Sequence, residues 1–93
     1  MDFADVYSED VVVENELGLH ARPAALFTRT ASRFKSEVYV CKDGSQINGK
    51  SILGVMMLAA FQGTTLTIRA EGEDESEAVK ALVELVKGKF GEN

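Results

Sequence analysis

The sequence contains one cysteine, one proline, one histidine and no tryptophan among its 93 residues. The lone cysteine, Cys41, cannot form an internal disulfide, which is typical of proteins from reducing compartments. No segment approaches the roughly 18 consecutive apolar residues that a membrane-spanning helix needs. The first residues, Met1–Asp5, lack the basic start and apolar stretch of a signal peptide. We therefore expect a cytoplasmic protein that does not associate with membranes.

Positive charge is also scarce. The chain has 10 lysine and arginine residues against 15 aspartate and glutamate residues, which gives a formal net charge of -5. Nucleic-acid-binding domains usually carry a basic excess or a basic stripe, so we expect no nucleic-acid partner. A single histidine and a single cysteine also make a zinc site improbable, and no metal site is predicted.

The length and the 45% hydrophobic content suit one globular domain covering residues 1–93. Residues 1–5 are interpreted as a loose N-terminal extension. The chain is too short for a full enzyme architecture around a cofactor-sized cavity. We expect a monomer without a bound cofactor.

The first half of the sequence predicts a strand, a helix and a hairpin. The β-branched run within residues 6–14 favours a strand. Apolar residues at spacings of three and four predict a helix from about Ala21 to Phe34, with Pro23 in its first turn. Residues 37–42 alternate as a strand, and Asp43-Gly44 is a strong signal for a hairpin turn into a return strand over residues 45–48.

The second half predicts a short helix, a strand and a long helix. Ser51 stands where an N-cap would lie, before a short apolar helix, and residues 64–70 alternate as a strand. Asp74 and Glu77 have the spacing of a capping box at the start of the last helix. The order β-α-β-β-α-β-α predicts an α+β fold, a four-stranded antiparallel sheet with three helices on one face.

His20 is the main candidate for chemistry. The predicted boundaries place it at a helix start after a glycine-containing loop, where free N–H groups favour an anion. Imidazole has an ordinary pKa of about 6.5 and is nucleophilic near neutral pH. Arg22 lies two residues on and suits a phosphoryl contact. No serine can be assigned to His20 by spacing, so a hydrolase triad is unsupported, whereas a plain helix cap or surface histidine remains an alternative.

Two motifs resemble the HPr family, the histidine-containing phosphocarriers of the bacterial sugar phosphotransferase system. Residues 18–24, Gly-Leu-His-Ala-Arg-Pro-Ala, are similar to the family's active-site signature. Residues 48–56, Asn-Gly-Lys-Ser-Ile-Leu-Gly-Val-Met, resemble its second signature, in the versions with a regulatory serine. The resemblance covers residues 11–86, nearly the whole chain, and it implies an open-faced β-sandwich.

The resemblance also implies roles for particular residues. His20 would be phosphorylated on Nδ1 by enzyme I and would pass the group to an enzyme IIA domain, with Arg22 assisting. Ser51 would be the substrate of an HPr kinase/phosphorylase. A partner-docking surface would include Ile52, Leu53 and Met56. The protein would be a phosphoryl relay and not an enzyme. Separately, the charge of Arg29 on the His20 helix would suit an acidic partner, with a plain solvated side chain as the alternative.

Two other functions compete with the relay. A regulatory module could use the same surface and signal through Ser51 alone, although such a protein would not need His20. Residues 44–51 also fit G-x-x-x-x-G-K-S, the pattern of a nucleotide-binding P-loop. We reject this alternative because the hairpin puts residues 45–48 in a strand, and because the chain cannot supply the surrounding parallel sheet.

Overall fold

Four strands and three helices make up the described part of the chain, residues 6–93, in this computed structural model. The strands are β1 (Val6–Val12), β2 (Glu37–Lys42), β3 (Ser45–Asn48) and β4 (Thr65–Glu71). The helices are α1 (Ala21–Ala31), α2 (Ile52–Met57) and α3 (Glu75–Lys87), and a short 3₁₀ turn, Lys89–Gly91, follows. This order confirms the predicted one, and the predicted N-terminal extension lies outside the described residues.

The strands form one antiparallel sheet in the order β1-β4-β2-β3. Alternate residues of the central strands are fully buried, as Val38, Val40, Leu66 and Ile68 are, whereas their neighbours face away from the core. The three helices cover the buried face. The predicted fold, an α+β open-faced sandwich, is therefore confirmed.

The β2–β3 hairpin turns at Asp43 and Gly44, where φ is 49° and 84°. Positive φ at both central turn residues matches the twist of a two-residue hairpin. Residues 45–48 then pair with β2, and Lys50 Nζ donates to the Phe34 carbonyl at 2.8 Å. The segment thus has a strand where a P-loop would need a phosphate-binding loop.

Helix α1 buries the face that its apolar spacing predicts, with Ala24, Phe27 and Ala31 fully inside. Pro23 is the third helical residue, where its missing N–H breaks no intrahelical bond. The helix ends at Ala31 and not at Phe34, because the N–H groups of Arg33 and Phe34 bond three residues back and tighten the chain into a turn. Phe34 still packs against the core.

The predicted capping box at α3 is wrong, although Asp74 is the N-cap residue. Its side chain makes no capping bond and reaches instead to the loop between α1 and β2. It accepts from the backbone N–H groups of Lys35 and Ser36, at 2.8 and 2.9 Å, and from the Ser36 hydroxyl. Three donors from the loop before β2 replace the local N–H group of a capping box. Asp74 therefore joins the start of α3 to that loop.

Asp74→Ala should lower the thermal midpoint of unfolding at pH 7, and this loss should shrink in acid. The Ser36 hydroxyl, followed by the Lys35 N–H, lowers the pKa of Asp74 from 3.8 to about 2. A carboxyl group whose pKa falls on folding stabilises the native state above its unfolded pKa, and that contribution disappears as the pH falls from 3.8 through about 2. Thermal unfolding of the native chain and of Asp74→Ala between pH 7 and pH 2 measures this contribution.

Glu73→Ala is the matched control for Asp74→Ala. Glu73 is the exposed neighbouring carboxylate, and no residue between 6 and 93 forms a hydrogen bond with its side chain. The Glu73→Ala substitution should change the thermal midpoint of unfolding little at any pH. A difference between Asp74→Ala and the native chain that stays constant down to pH 2 would contradict the proposed ionic origin.

Candidate functional site

His20 is the N-cap residue of α1, with an extended backbone at φ -82° and ψ -169°. The first intrahelical bond runs from the Ala24 N–H to the His20 carbonyl, at 3.0 Å. The N–H groups of Ala21 and Arg22 precede that bond, and Pro23 has none. Two free N–H donors therefore lie at the positive end of the helix beside the imidazole. The predicted place of His20 is confirmed.

The loop before His20 is fixed by a close backbone approach. Gly18 has φ +67°, and a Cβ there would overlap the Ala60 carbonyl and lie 3.0 Å from the Cα of Phe61. The Leu19 N–H donates to the same Ala60 carbonyl at 2.9 Å. Only glycine fits this position, and the contact joins the His20 loop to the segment between α2 and β4.

The carboxylate of Glu92 lies against the imidazole. Its Oε1 is 3.0 Å from His20 Nε2 and also accepts from Asn15 Nδ2 at 2.9 Å. Its Oε2 accepts from Arg22 Nη1 at 2.9 Å. The sequence analysis missed Glu92 and Asn15. Glu92 lies 72 residues after His20, and no local pattern distinguishes it from the other glutamates of this acidic chain.

These contacts determine the state of the imidazole. The His20 ring N–H, followed by the Asn15 amide, lowers the pKa of Glu92, so the carboxylate is ionised at neutral pH. A carboxylate only accepts hydrogen bonds, so the hydrogen of a neutral His20 ring is assigned to Nε2. Nδ1 then carries a lone pair, and no residue between 6 and 93 hydrogen-bonds to it. The side chain is 37% exposed, which leaves it open to a reactant.

A left-handed turn holds Glu92 in place. Lys89, Phe90 and Gly91 have φ of 57°, 56° and 74°. Non-glycine residues in this region cost about 1–3 kcal/mol each, so surrounding contacts must hold the turn. Phe90 is buried in the core at 2% exposure, and the Glu16 N–H donates to the Asn93 carbonyl at 2.7 Å.

Asn15 supports the same arrangement from inside. It is completely buried, and its Nδ2 donates to the Gly18 carbonyl at 2.8 Å as well as to Glu92. Its Oδ1 is buried without a hydrogen-bond partner among the described residues. One amide group therefore connects the glycine loop to the Glu92 carboxylate.

Ser51 is the N-cap of α2, as predicted, and its Oγ accepts from the Gly54 N–H at 3.1 Å. Only Val55 of this helix is buried. Six large apolar residues, between 39% and 74% exposed, extend from α2 to the His20 loop, and we call them the apolar surface: Leu17, Ile52, Leu53, Met56, Met57 and Phe61.

The apolar surface adjoins the imidazole. A shallow cleft of about 250 Å³ is lined by His20 together with Leu17, Met56 and Phe61. The sequence analysis identified Ile52, Leu53 and Met56 but missed Leu17, Met57 and Phe61, because single apolar residues in loops carry no periodic signal. Arg29 is exposed and lies seven residues after Arg22, about two turns along the same helix face.

A family model described as the PTS HPr component phosphorylation site matches residues 7–88. The chain belongs to the HPr family of phosphocarrier proteins. It is 54% identical to the phosphocarrier protein HPr of Neisseria meningitidis over 84 residues, which cover 90% of this chain and 94% of that one. The structure of HPr from Thermoanaerobacter tengcongensis superposes with a TM-score of 0.90 at 50% identity, covering 94% and 98%.

A further family relative is Crh of Bacillus subtilis, described as a catabolite repression containing protein in a dimer with a swapped domain. Its structure gives a TM-score of 0.73 at 49% identity and covers 85% of this chain and 91% of that one. Family membership identifies the chain as a carrier of the phosphotransferase system and not a catalyst. Within residues 6–93, no helix is long and apolar enough to cross a membrane.

Gly18→Ala should destabilise the protein more than Gly63→Ala does. Both glycines have positive φ, +67° and +92°, but only Gly18 has backbone atoms within 4 Å of a new Cβ. The conformation alone costs an alanine about 1–2 kcal/mol, and we expect the overlap with Ala60 to cost at least about 1 kcal/mol more. Denaturant unfolding measures both variants, and equal losses would contradict the close approach.

Proposed function

We propose that His20 accepts a phosphoryl group on Nδ1 from phosphorylated enzyme I and passes it to an enzyme IIA domain. The observation that carries this proposal is the difference between the two ring nitrogens. Nε2 is engaged by Glu92, whereas Nδ1 carries a free lone pair in an exposed side chain at a helix start. The protein acts in the cytoplasm, as a monomer and without a cofactor.

Arg22 stabilises the phosphoryl group under this proposal. Its guanidinium contacts Glu92 through Nη1 alone, and its side chain is 60% exposed. The remaining N–H donors are available for a phosphoryl oxygen, which binds a guanidinium strongly. The free N–H groups of Ala21 and Arg22 add two donors from the helix start.

Partners dock on the apolar surface beside His20. Ile52, Leu53 and Met56 contribute exposed apolar area that the fold does not bury. Exposed apolar residues grouped in this way are typical of interaction sites. Arg29, two turns along α1, adds positive charge that attracts an acidic partner.

Ser51 regulates this docking when an HPr kinase/phosphorylase modifies it. The hydroxyl is half-buried and lies at the N-cap of α2, next to Ile52. A phosphoserine would add a charge of about -1.5 to -2 beside the apolar surface. Helix N–H groups favour that charge, so docking changes while the fold is kept.

A second candidate function is a regulatory module that does not transfer phosphoryl groups. The likeness to Crh, described as a catabolite repression protein and found as a dimer, favours this candidate. It requires Ser51 and the apolar surface but gives no role to His20. Loss of the histidine should leave such a module active, so labelling of His20 separates the two functions.

Incubation with enzyme I, magnesium and phosphoenolpyruvate should add one acid-labile phosphoryl group, as measured by intact mass. His20→Ala should remove the labelling completely, because the acceptor nitrogen is lost. Arg22→Ala should keep His20 as the acceptor but be labelled roughly 10- to 100-fold more slowly, because a charge-assisted contact is worth about 1.5–3 kcal/mol. No labelling of the native chain, while a known HPr is labelled in parallel, would exclude the relay.

Ser51→Asp should raise the KM for the chain as a substrate of enzyme I several-fold and leave kcat nearly unchanged. Aspartate still caps a helix, so the fold is kept while a charge enters beside the apolar surface. Ser8→Asp is the matched control, because Ser8 is exposed on the sheet face opposite the helices. An equal effect of both substitutions would point to net charge and not to docking.

Direct modification of Ser51 is tested with a purified HPr kinase and ATP. The native chain should gain one acid-stable phosphoryl group that Ser51→Ala does not gain. A native chain left unmodified, while a known carrier is modified in the same reaction, would contradict regulation at Ser51.

A further inference from the structure

We propose that Lys42 is a positioning residue for docking. Its ammonium group holds the end of α2, and in this way it keeps the apolar surface and the loop before His20 in one fixed arrangement. The inference rests on the proposed docking of partners at the apolar surface. It assigns to a lysine outside that surface the task of keeping the surface in shape.

Lys42 is a charged residue on the core side of the sheet. Successive residues of a strand face opposite sides, so Lys42, the last residue of β2, shares the inner face with the fully buried Val38 and Val40. Its side chain is half-buried. A lysine is rarely placed in this way unless its ammonium group is paired, so the position of Lys42 requires specific hydrogen-bond acceptors.

The acceptors are two main-chain carbonyls at the end of α2. Lys42 Nζ donates to the Leu58 carbonyl at 3.0 Å and to the Ala59 carbonyl at 3.2 Å. The last carbonyls of a helix have no N–H partner within the helix, and they form the negative end of its dipole. An ammonium group supplies both the donors and the opposite charge, so one side chain satisfies the end of this short helix.

The segment that Lys42 holds is strained. Ala59 has φ 51°, a left-handed conformation that usually falls to glycine just after a helix and that residues with a Cβ rarely adopt. Its N–H donates to the Met56 carbonyl at 3.2 Å, three residues back, which tightens the last turn of α2. A strained turn persists only where surrounding contacts fix it, and the two bonds from Lys42 are such contacts.

The same segment leads directly to the loop before His20. The Ala60 carbonyl, one residue after the strained turn, accepts from the Leu19 N–H at 2.9 Å. Ala59 and Ala60 also line the cleft beside His20, next to part of the apolar surface. Lys42 therefore holds a turn whose next residue binds the loop that positions His20.

A loose end of α2 should weaken docking and not the transfer of the phosphoryl group. In Lys42→Met, the end of α2 would sample several arrangements, and a partner would bind only one of them. Ordering one flexible side chain on binding typically lowers affinity about 2- to 10-fold. Once a partner has docked, the segment is ordered again and His20 is unchanged. The cost should therefore appear in KM and not in kcat.

The hold on the loop is tested first without any partner, by amide hydrogen exchange. The Leu19 N–H should exchange about tenfold faster in Lys42→Met than in the native chain, because it bonds to the segment that Lys42 holds. The Gly88 N–H, which bonds to the Glu84 carbonyl at the end of α3, should not change. Lys42→Arg should behave like the native chain, because a guanidinium can also donate to two carbonyls.

Lys80→Met is the matched control for the loss of charge. Lys80 is an exposed lysine of α3, and no residue between 6 and 93 forms a hydrogen bond with its side chain. This variant should keep the native exchange rate at Leu19. Equal exchange at Leu19 in Lys42→Met and in the native chain would overturn the proposal, and so would an equal acceleration at Gly88, which would show a general loosening.

The second measurement is the rate of labelling by phosphorylated enzyme I at increasing concentrations of the chain. Lys42→Met should raise KM about 2- to 10-fold and leave kcat nearly unchanged. Lys42→Arg should restore the native KM, and Lys80→Met should keep it. A loss of stability alone would not produce a change in KM that arginine reverses while kcat stays constant.

The outcomes separate this inference from the proposed function. A native chain that is labelled, with the same KM for Lys42→Met, would overturn the docking role and leave the carrier function intact. A fall in kcat at constant KM would also overturn it, because Lys42 would then act on the transfer step. A native chain that takes up no label would exclude the carrier function, whereas amide exchange at Leu19 would still decide whether Lys42 holds the loop.

Discussion

The close backbone approach of Gly18 to Ala60 is the constraint on which the site depends. Because a left-handed glycine lets the loop pass against the Ala60 carbonyl, the Leu19 N–H can donate to the same oxygen. That bond sets where α1 begins, and hence where His20 and its two free N–H groups lie. It also brings the apolar surface to the edge of the imidazole, so His20 and the apolar surface form one continuous face.

Helix α2 illustrates how the fold supports exposed apolar residues. A six-residue helix is too short to be stable alone, and only Val55 anchors it in the core. Its ends are held by polar contacts instead. Ser51 Oγ accepts from the Gly54 N–H at the start, and Lys42 Nζ donates to the carbonyls of Leu58 and Ala59 at the end, at 3.0 and 3.2 Å. Ile52, Leu53 and Met56 are therefore free to remain at the surface.

The elements that the sequence predicts well are those with local causes. The Asp43-Gly44 turn, the Pro23 position in α1 and the Ser51 cap each follow from residues within four positions of one another. The errors come from partners far apart in the chain. Asp74 has the spacing of a capping box, yet three donors near Ser36 compete successfully for its carboxylate. Glu92 contacts His20 and Asn15 across 72 and 77 positions of the chain, so no window of sequence reveals these contacts.

A carrier must release its phosphoryl group as readily as it takes it up, and the charges around His20 suit that balance. Under the proposed function, Arg22 and two helix N–H groups would favour the phosphorylated state, because they offer donors to the new oxygens. The Glu92 carboxylate would oppose them, because it would repel the phosphoryl charge and already accepts a hydrogen bond from the Arg22 guanidinium. Opposed contributions of this kind would reduce the difference in free energy between the phosphorylated and unmodified states. A site with Arg22 alone would hold the group more tightly, which suits an acceptor that stores phosphate and not one that passes it on.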